Sequence, residues 1–389
     1  MTGSKAGKAD GTKREIFIIA GETSGEQYGA LLAEELKKLV PGIKLTGLGG
    51  DAMASAGVEI IRHVKDLAVV GITEVLEKYS TLKSAFDAVI AAISARRPAA
   101  VVLIDYPGFN LRLAKKLSSL NIPIVYYISP QIWAWHRSRV HDIGQLCRKI
   151  LVVFDFEVDL YRGEGYEATY VGHPLLDRLA QFPIHDLRLE LKIPKDKIIV
   201  GLLPGSRKQE IERLLPVYAR AAEGMIGKGL EAEFFVASAP LVDDRMLNSF
   251  LSVGNVPVKI FKGRTYDVMS AADLLFIASG TATLEAAVVG TPMIVTYKTG
   301  AITYLVGKSV LNVDWLALPN IIANAEIVPE LLQSNCSPEY LEALALHLLG
   351  DPKLLEEMKS SLAAVRARLG GPGASARAAQ EIISAAGLA

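Results

Sequence analysis

The sequence predicts an α/β protein built from two doubly wound, Rossmann-like domains followed by a helical C-terminal tail. Three observations carry that prediction. Short apolar runs rich in β-branched residues alternate with stretches of helical periodicity, the pattern of βαβ units on a parallel sheet. The alternation stops at a polar, Pro-containing stretch around 182–196 and then starts again. The chain also has 389 residues, more than a single hydrophobic core ordinarily serves.

Residues 1–13 are small, polar and rich in Gly and Lys, and are expected to form a disordered tail. In the first domain, 14–180, Ile16–Ala20 reads as a strand and Gln27–Leu39 as its helix. Ala100–Asp105 is followed by the helical Asn110–Leu120, Ile124–Ile128 by a Trp-containing segment, and Ile150–Phe154 closes the series. The linker falls near 175–195. In the second domain, 181–340, the candidate strands are Ile198–Leu203, Glu233–Ala237, Val258–Phe261, Leu274–Ala278 and Met293–Tyr297. Past Pro338 the apolar spacing is helical, broken at Gly370, Gly371, Pro372 and Gly373. This tail, 341–389, has the option of crossing back to the first domain. A cleft between the two domains is expected.

Composition excludes several classes. Lys+Arg 42 against Asp+Glu 42 gives a formal net charge of +0, which argues against a broadly basic nucleic-acid binder. No apolar stretch approaches the roughly 20 residues of a membrane-spanning helix, and Ile16–Ala20 is too short for a secretory h-region. Cys147 and Cys336 are far apart and lack His partners at ligand spacing, so neither a disulfide framework nor a metal site is expected. No cofactor is expected. The alternating Asp155, Glu157 and Asp159 read as a solvated face. A cytoplasmic enzyme fits these features.

In open α/β sheets ligands bind beyond the carboxyl ends of strands, and four turns stand out there. Gly21 to Glu26 offers a flexible backbone and free N–H groups, or else a plain turn capped by Ser24. Asp105 ends a strand before Pro107 and Gly108. Asn110 can cap the next helix, which leaves the Asp105 carboxylate open to act as a general base or to bond its own turn. Gly205, Ser206 and Arg207 end the first strand of the second half, where Arg207 offers a planar fork to phosphate oxygens or else is a surface Arg with no ligand. Ser279, Gly280, Thr281 and Ala282 leave a helix start uncovered for an anion, and Glu285 could accept hydrogen bonds from a ribose or simply complement the helix dipole. Together the last two turns would hold a diphosphate from both sides. No GxxxxGK[ST] loop is present.

As a set these residues resemble the lipid-A-disaccharide synthase family of glycosyltransferases, which has the two-Rossmann-domain GT-B fold. The resemblance runs from Ile16 to about Gln333. It rests on AGETSGE (20–26), GLGGDAM (47–53), VVGITEVL (69–76), IDYPGFNLRLAKKL (104–117), YYISPQIWAWHRSRV (126–140), VGHPLLD (171–177), LLPGSRKQEI (202–211), ASGTATLEAA (278–287) and ALPN (317–320). It implies transfer of 2,3-diacylglucosamine from UDP onto 2,3-diacylglucosamine 1-phosphate, forming the β-1,6 lipid A disaccharide with inversion. By motif, Asp105 would be the base, and Glu22, Ser24 and Asn320 would line the sugar or acceptor side. Arg207, Ser279, Gly280, Thr281, Glu285 and Gln333 would surround UDP. Three positions depart from the family pattern: Glu26 where Asp is usual, Asp155 where Pro is commoner, and His136 where Arg usually follows Trp-Ala-Trp. The last leaves Arg137, Arg139 or Arg148 as phosphate candidates.

Inverting transfer needs a base for the acceptor hydroxyl and a stabiliser for departing UDP, so Asp105 and the nucleotide must be brought together by domain closure. The acylated substrates imply a peripheral place on the cytoplasmic face of the inner membrane. Leu67, Val69, Val70, Ile72, Val75 and Leu76 would make the contact, although the same spacing describes a core face. Trp133 and Trp135 suit either acyl chains or packing at a helix start. His173 could bond ligand or tie the domains together. A homodimer is left open. The competing readings are a UDP-N-acetylglucosamine 2-epimerase-like enzyme, which needs no acceptor, and a two-lobed sugar-binding protein without catalysis.

Overall fold

The computed structural model describes residues 14–67, 75–133, 138–240, 242–300 and 314–388. The chain divides into two compact units, one running to Gln181 and including Gly370–Ala389, the other Phe182–Leu369. The helical tail is therefore shared out. Helices Pro338–Gly350 and Pro352–Arg368 belong to the second unit, and only Ala374–Ala386 to the first.

The first unit carries a seven-stranded sheet: β1 (Glu15–Ala20), β2 (Lys44–Gly49), β3 (Glu59–His63), β4 (Ala100–Ile104), β5 (Ile124–Tyr127), β6 (Lys149–Val152) and β7 (Thr169–Tyr170). The order is β3-β2-β1-β4-β5-β6-β7, with every pair parallel. Strands β1 and β4 are buried throughout their apolar residues, from Ile16 to Ala20 and from Ala100 to Ile104. Helices cover both faces, as an all-parallel sheet requires. Helix Ala374–Ala386 packs against helix Thr23–Leu39 and against β4, β5 and β6. It is anchored at its start by Asp177, which accepts from the N–H groups of Gly373 (2.5 Å) and Ser375 (2.7 Å), and by Arg377, whose Nε donates to the Val171 carbonyl at 2.8 Å.

The second unit carries a six-stranded parallel sheet: β8 (Ile198–Leu203), β9 (Ala232–Ser238), β10 (Val258–Lys262), β11 (Leu274–Ala278), β12 (Met293–Tyr297) and β13 (Glu330–Leu332), in the order β10-β9-β8-β11-β12-β13. In each sheet the chain winds outward in one direction, returns to the middle and winds the other way. The reversal falls between β1 and β4 in one unit and between β8 and β11 in the other, and it opens a crevice at the carboxyl ends of those strands. The four turns singled out in the sequence follow these four strands.

Strands β2, β3, β7 and β13 escape the sequence pattern. β2 reads KLTGLG and lacks a β-branched run, because a Cβ at Gly47 would lie 1.8 Å from the Ile18 carbonyl oxygen. β7 and β13 have two and three residues, too few to show any period.

Candidate active site

In the first unit the switch point joins the turn after β1 to the turn after β4. Asp105 and Tyr106 both adopt left-handed backbone conformations, φ 43° and 49°, which cost energy in non-glycine residues and persist where the surroundings enforce them. Three bonds enforce them here. Asn110 Nδ2 donates to the carbonyls of Ile104 (3.1 Å) and Asp105 (2.7 Å), and Tyr126 Oη donates to the Asp105 carbonyl at 2.8 Å. Asn110 thus does not cap helix Pro107–Leu117, as its position suggested. It lies inside that helix and reaches back to lock the turn. The Tyr106 ring covers Gly21 so closely that a Cβ there would sit 2.1 Å from Cδ1, so Gly21 is needed for contact between the two turns. Ser24 is likewise no cap, since helix Thr23–Leu39 starts one residue earlier with Glu22 at its N-cap.

The Asp105 carboxyl is pushed up to about 7, first by burial and second by the charge of Glu22, with the Tyr106 N–H pulling the other way. Glu22 is exposed and Ser24 half-buried beside it. Glu26 turns inward instead. Its carboxylate accepts from Gly50 (3.1 Å) and Met53 (3.2 Å), capping the short helix Asp51–Ser55.

Of the three acids expected on a solvated face, Glu157 is fully buried. It accepts from the N–H groups of Val153 (3.2 Å) and Phe154 (3.1 Å) and from Trp133 Nε1 (3.3 Å). Burial pushes its carboxyl up to about 8 against those bonds. Trp133 also packs edge-on against Phe154 and Phe156. His173 lies inside the same unit, its ring near Tyr28 and Phe154. Its Nδ1 accepts from the Leu175 N–H at 3.1 Å and burial pushes its pKa down to about 3, so the ring is neutral with its proton on Nε2. Trp135, His136 and Arg137 lie outside the described residues, as do Val69, Val70 and Ile72. For Leu67, Val75 and Leu76 the backbone alone is described.

In the second unit β8 and β11 are hydrogen-bonded neighbours, which brings the Gly205–Arg207 turn beside the start of helix Thr281–Val289. The two turns differ. The Ser206 and Arg207 N–H groups both donate to Glu210 Oε2 at 3.2 Å, and Arg207 Nη1 donates to Glu210 Oε1 at 3.0 Å. Gly205 is favoured by its φ of 100°, a conformation that residues with a Cβ rarely adopt, and its turn packs against the same carboxylate. These backbone donors, expected to face phosphate, are therefore engaged by a carboxylate of the protein. The Arg207 side chain is 79% exposed. Glu210, at the third helical position, reaches back to the Arg207 N–H as in one half of a capping box, and Arg207, which has no acceptor, does not return the other half.

Among the described residues no side chain caps helix Thr281–Val289, and none lies within 4 Å of a Cβ placed at Gly280. Gly280 has φ 152°, and Ser279 Oγ is tied to the Leu316 carbonyl at 3.2 Å. Thr281 is exposed and Ala282 half-buried, so this helix start keeps the character of an anion site. Glu285, farther along, accepts from Tyr266 Oη at 2.9 Å.

Asn320, expected to line the sugar or acceptor side, has its amide engaged by the protein. It is fully buried, with Nδ2 donating to the Val328 carbonyl and Glu330 Oε1 and Oδ1 accepting from Ile327 and Val328. Its amide is saturated by protein and orders the loop before β13. Gln333 follows β13, with Oε1 accepting from the Thr299 N–H at 3.3 Å.

Known proteins resolve what the geometry of each unit leaves general. The solved structures similar to this chain include UDP-GlcNAc 2-epimerase from Neisseria meningitidis bound to UDP-GlcNAc, with TM-score 0.66 and 12% identity over 95% of this chain and 100% of that one. Acinetobacter baumannii MurG matches with TM-score 0.56 and 15% identity over 95% and 99%. At such identities they speak to fold, and the fold is GT-B. Curated relatives are nearer in sequence. Lipid-A-disaccharide synthase of Syntrophus aciditrophicus is 40% identical over 366 residues, 94% of this chain and 96% of that protein, and the Nitrosococcus oceani enzyme of the same name is 40% identical over 356 residues, covering 91% and 92%. The lipid-A-disaccharide synthetase family model matches residues 16–382, and with relatives this similar over nearly the whole chain, the protein belongs to the lipid-A-disaccharide synthase family.

Proposed function

We propose that Asp105 is the general base of the family's reaction, and that Arg207 and the open helix start at Gly280 hold the diphosphate of the donor. In that reaction 2,3-diacylglucosamine passes from UDP to 2,3-diacylglucosamine 1-phosphate, with inversion, to give the β-1,6 lipid A disaccharide 1-phosphate. The acceptor hydroxyl loses its proton to Asp105 as its oxygen attacks the anomeric carbon. The bond to UDP breaks on the opposite face, and the leaving diphosphate carries away the electron pair. The observation that carries this reading is the Asp105 turn itself: a carboxyl raised to about 7 on a left-handed backbone held by Asn110 and Tyr126. A base whose pKa lies near the working pH combines adequate strength with a usable deprotonated fraction.

Glu22 acts on this centre through its charge and, with Ser24, flanks the acceptor. Glu285 and Tyr266 take the ribose. Asn320 serves by ordering the loop rather than by touching sugar. The acyl chains of both substrates place the work at a membrane surface, and among the described residues no helix is long and apolar enough to cross a bilayer. A peripheral position on the cytoplasmic leaflet satisfies both. Mass spectrometry of the lipid formed from UDP-diacylglucosamine and diacylglucosamine 1-phosphate tests the whole reading. A disaccharide 1-phosphate with equimolar UDP is expected. An epimerised UDP-sugar, or no UDP release, would overturn it.

A further inference from the structure

Gln333 carries a buried polar group that the protein leaves unsatisfied. Its Oε1 is fixed by the Thr299 N–H, while its buried Nε2 has no hydrogen-bond partner among the described residues. Buried amide donors are rarely left so, and where one persists an acceptor from outside the chain is the natural complement. Gln333 also has φ 52°, a strained conformation for a residue with a side chain, and such strain gathers at ligand sites.

Strand order decides which part of the ligand meets it. The two diphosphate turns follow β8 and β11, in the middle of the sheet. Tyr266, which donates to Glu285, follows β10 on one flank, whereas Thr299 and Gln333 follow β12 and β13 on the other. A UDP-sugar is linear, with the diphosphate between nucleoside and sugar. If Tyr266 and Glu285 mark the nucleoside end, the sugar extends toward β12 and β13. Strands lie roughly 4.8 Å apart, which puts the end of β13 about 10 Å along the edge from that of β11. The substituents of a hexose attached to the diphosphate reach that far.

We propose that Gln333 reads the transferred sugar rather than the nucleotide, donating from Nε2 to a carbonyl or hydroxyl oxygen of the diacylated glucosamine. The inference rests on the UDP-sugar reading of the second unit. Gln333→Glu keeps an oxygen for the Thr299 N–H but turns the donor end into an acceptor, and Gln333→Met removes both with little change in length. With the full chain, UDP affinity by calorimetry should stay unchanged in both variants while KM for UDP-diacylglucosamine rises roughly tenfold or more. A donor lacking the 3-O-acyl group separates the oxygen sources. If the variants lose their defect on it, the 3-O-acyl carbonyl is the partner; an undiminished defect assigns another oxygen of the sugar, a hydroxyl or the 2-N-acyl carbonyl. Equal weakening toward UDP and the full donor would overturn the proposal in favour of a nucleotide contact, and unchanged constants toward both would remove Gln333 from the site. Arg207→Ala, run in parallel, isolates the underlying reading, which fails on its own if that variant binds UDP like the wild type.

Discussion

Replacing Asp105 with Asn should make the protein more stable at neutral pH and almost inactive. Asn is among the few residues that accept a left-handed backbone readily, so the φ of 43° is no obstacle to folding. The carboxyl stands at about 7 in the folded chain against an ordinary 3.8. Between those values the folded state holds a proton that the unfolded state has released, so stability falls as pH rises through the window. At about 1.4 kcal/mol per pH unit, the full loss is about 4 kcal/mol above pH 7. Below about pH 4 both states are protonated and that loss is absent. Asn has no proton to lose. Urea midpoints of wild type and variant, followed from acid to mildly alkaline pH, should therefore diverge in favour of the variant, with the gap opening between about pH 4 and 7. Turnover, read as disaccharide by mass spectrometry, should drop roughly 10²–10⁴-fold with UDP affinity unchanged. A stability gap that stays constant across this range would show that the carboxyl is not raised, and wild-type-like turnover would remove Asp105 from the chemistry.

Glu22→Gln removes a charge that raises Asp105, so the acid limb of the pH–kcat/KM profile should move to lower pH; a limb that stays in place would detach Glu22 from the base. Arg207→Ala should weaken UDP binding by about 1.5–3 kcal/mol, roughly 10- to 150-fold, as for loss of a charge-assisted hydrogen bond, and unaltered calorimetry and kinetics would reject its role. For the membrane contact, joint replacement of Val69, Ile72 and Leu76 by Ser should abolish sedimentation with anionic vesicles and leave the melting temperature unchanged. Unfolding of that variant would instead mark the three as core, and a folded variant that still sediments would exclude the segment as the anchor.

What the sequence made legible were the features that repeat. Buried parallel strands such as Ala100–Ile104 and Leu274–Ala278 show as β-branched or apolar runs, and the turns after them show as small residues at fixed positions. A residue whose role depends on a partner distant in sequence or on burial is not legible in this way. Asn110 has the look of a helix cap and instead locks the Asp105 turn. Glu157 alternates with two other acids, yet it is buried beneath Trp133 while Asp155 and Asp159 stay at the surface. Asn320 sits in a motif that suggests a ligand contact, but four hydrogen bonds to the loop before β13 saturate its amide. In each case the side chain's chemistry was plain, whereas its burial, which turned it inward onto nearby groups of the chain, was not.

The two phosphate-facing turns show how one design principle can be used in opposite ways. Both follow neighbouring central strands and both open helices, so each begins with unsatisfied N–H groups and a positive dipole end. At β8 the chain supplies its own anion: Glu210 takes the Ser206 and Arg207 N–H groups and draws one edge of the Arg207 guanidinium against it. The backbone donors of that turn are engaged by the chain's own carboxylate, and what it presents outward is the largely exposed Arg207 side chain. At β11 no side chain among the described residues fills the role, and none of them lies within 4 Å of a Cβ placed at Gly280. A diphosphate can meet backbone donors on one side and a positioned side-chain fork on the other without competing with Glu210. Had both turns been open, an anion could settle on either, and the sugar would not be held in one place relative to Gln333. On the proposed reading, filling one turn with an internal carboxylate would give the linear donor a single direction along the sheet edge.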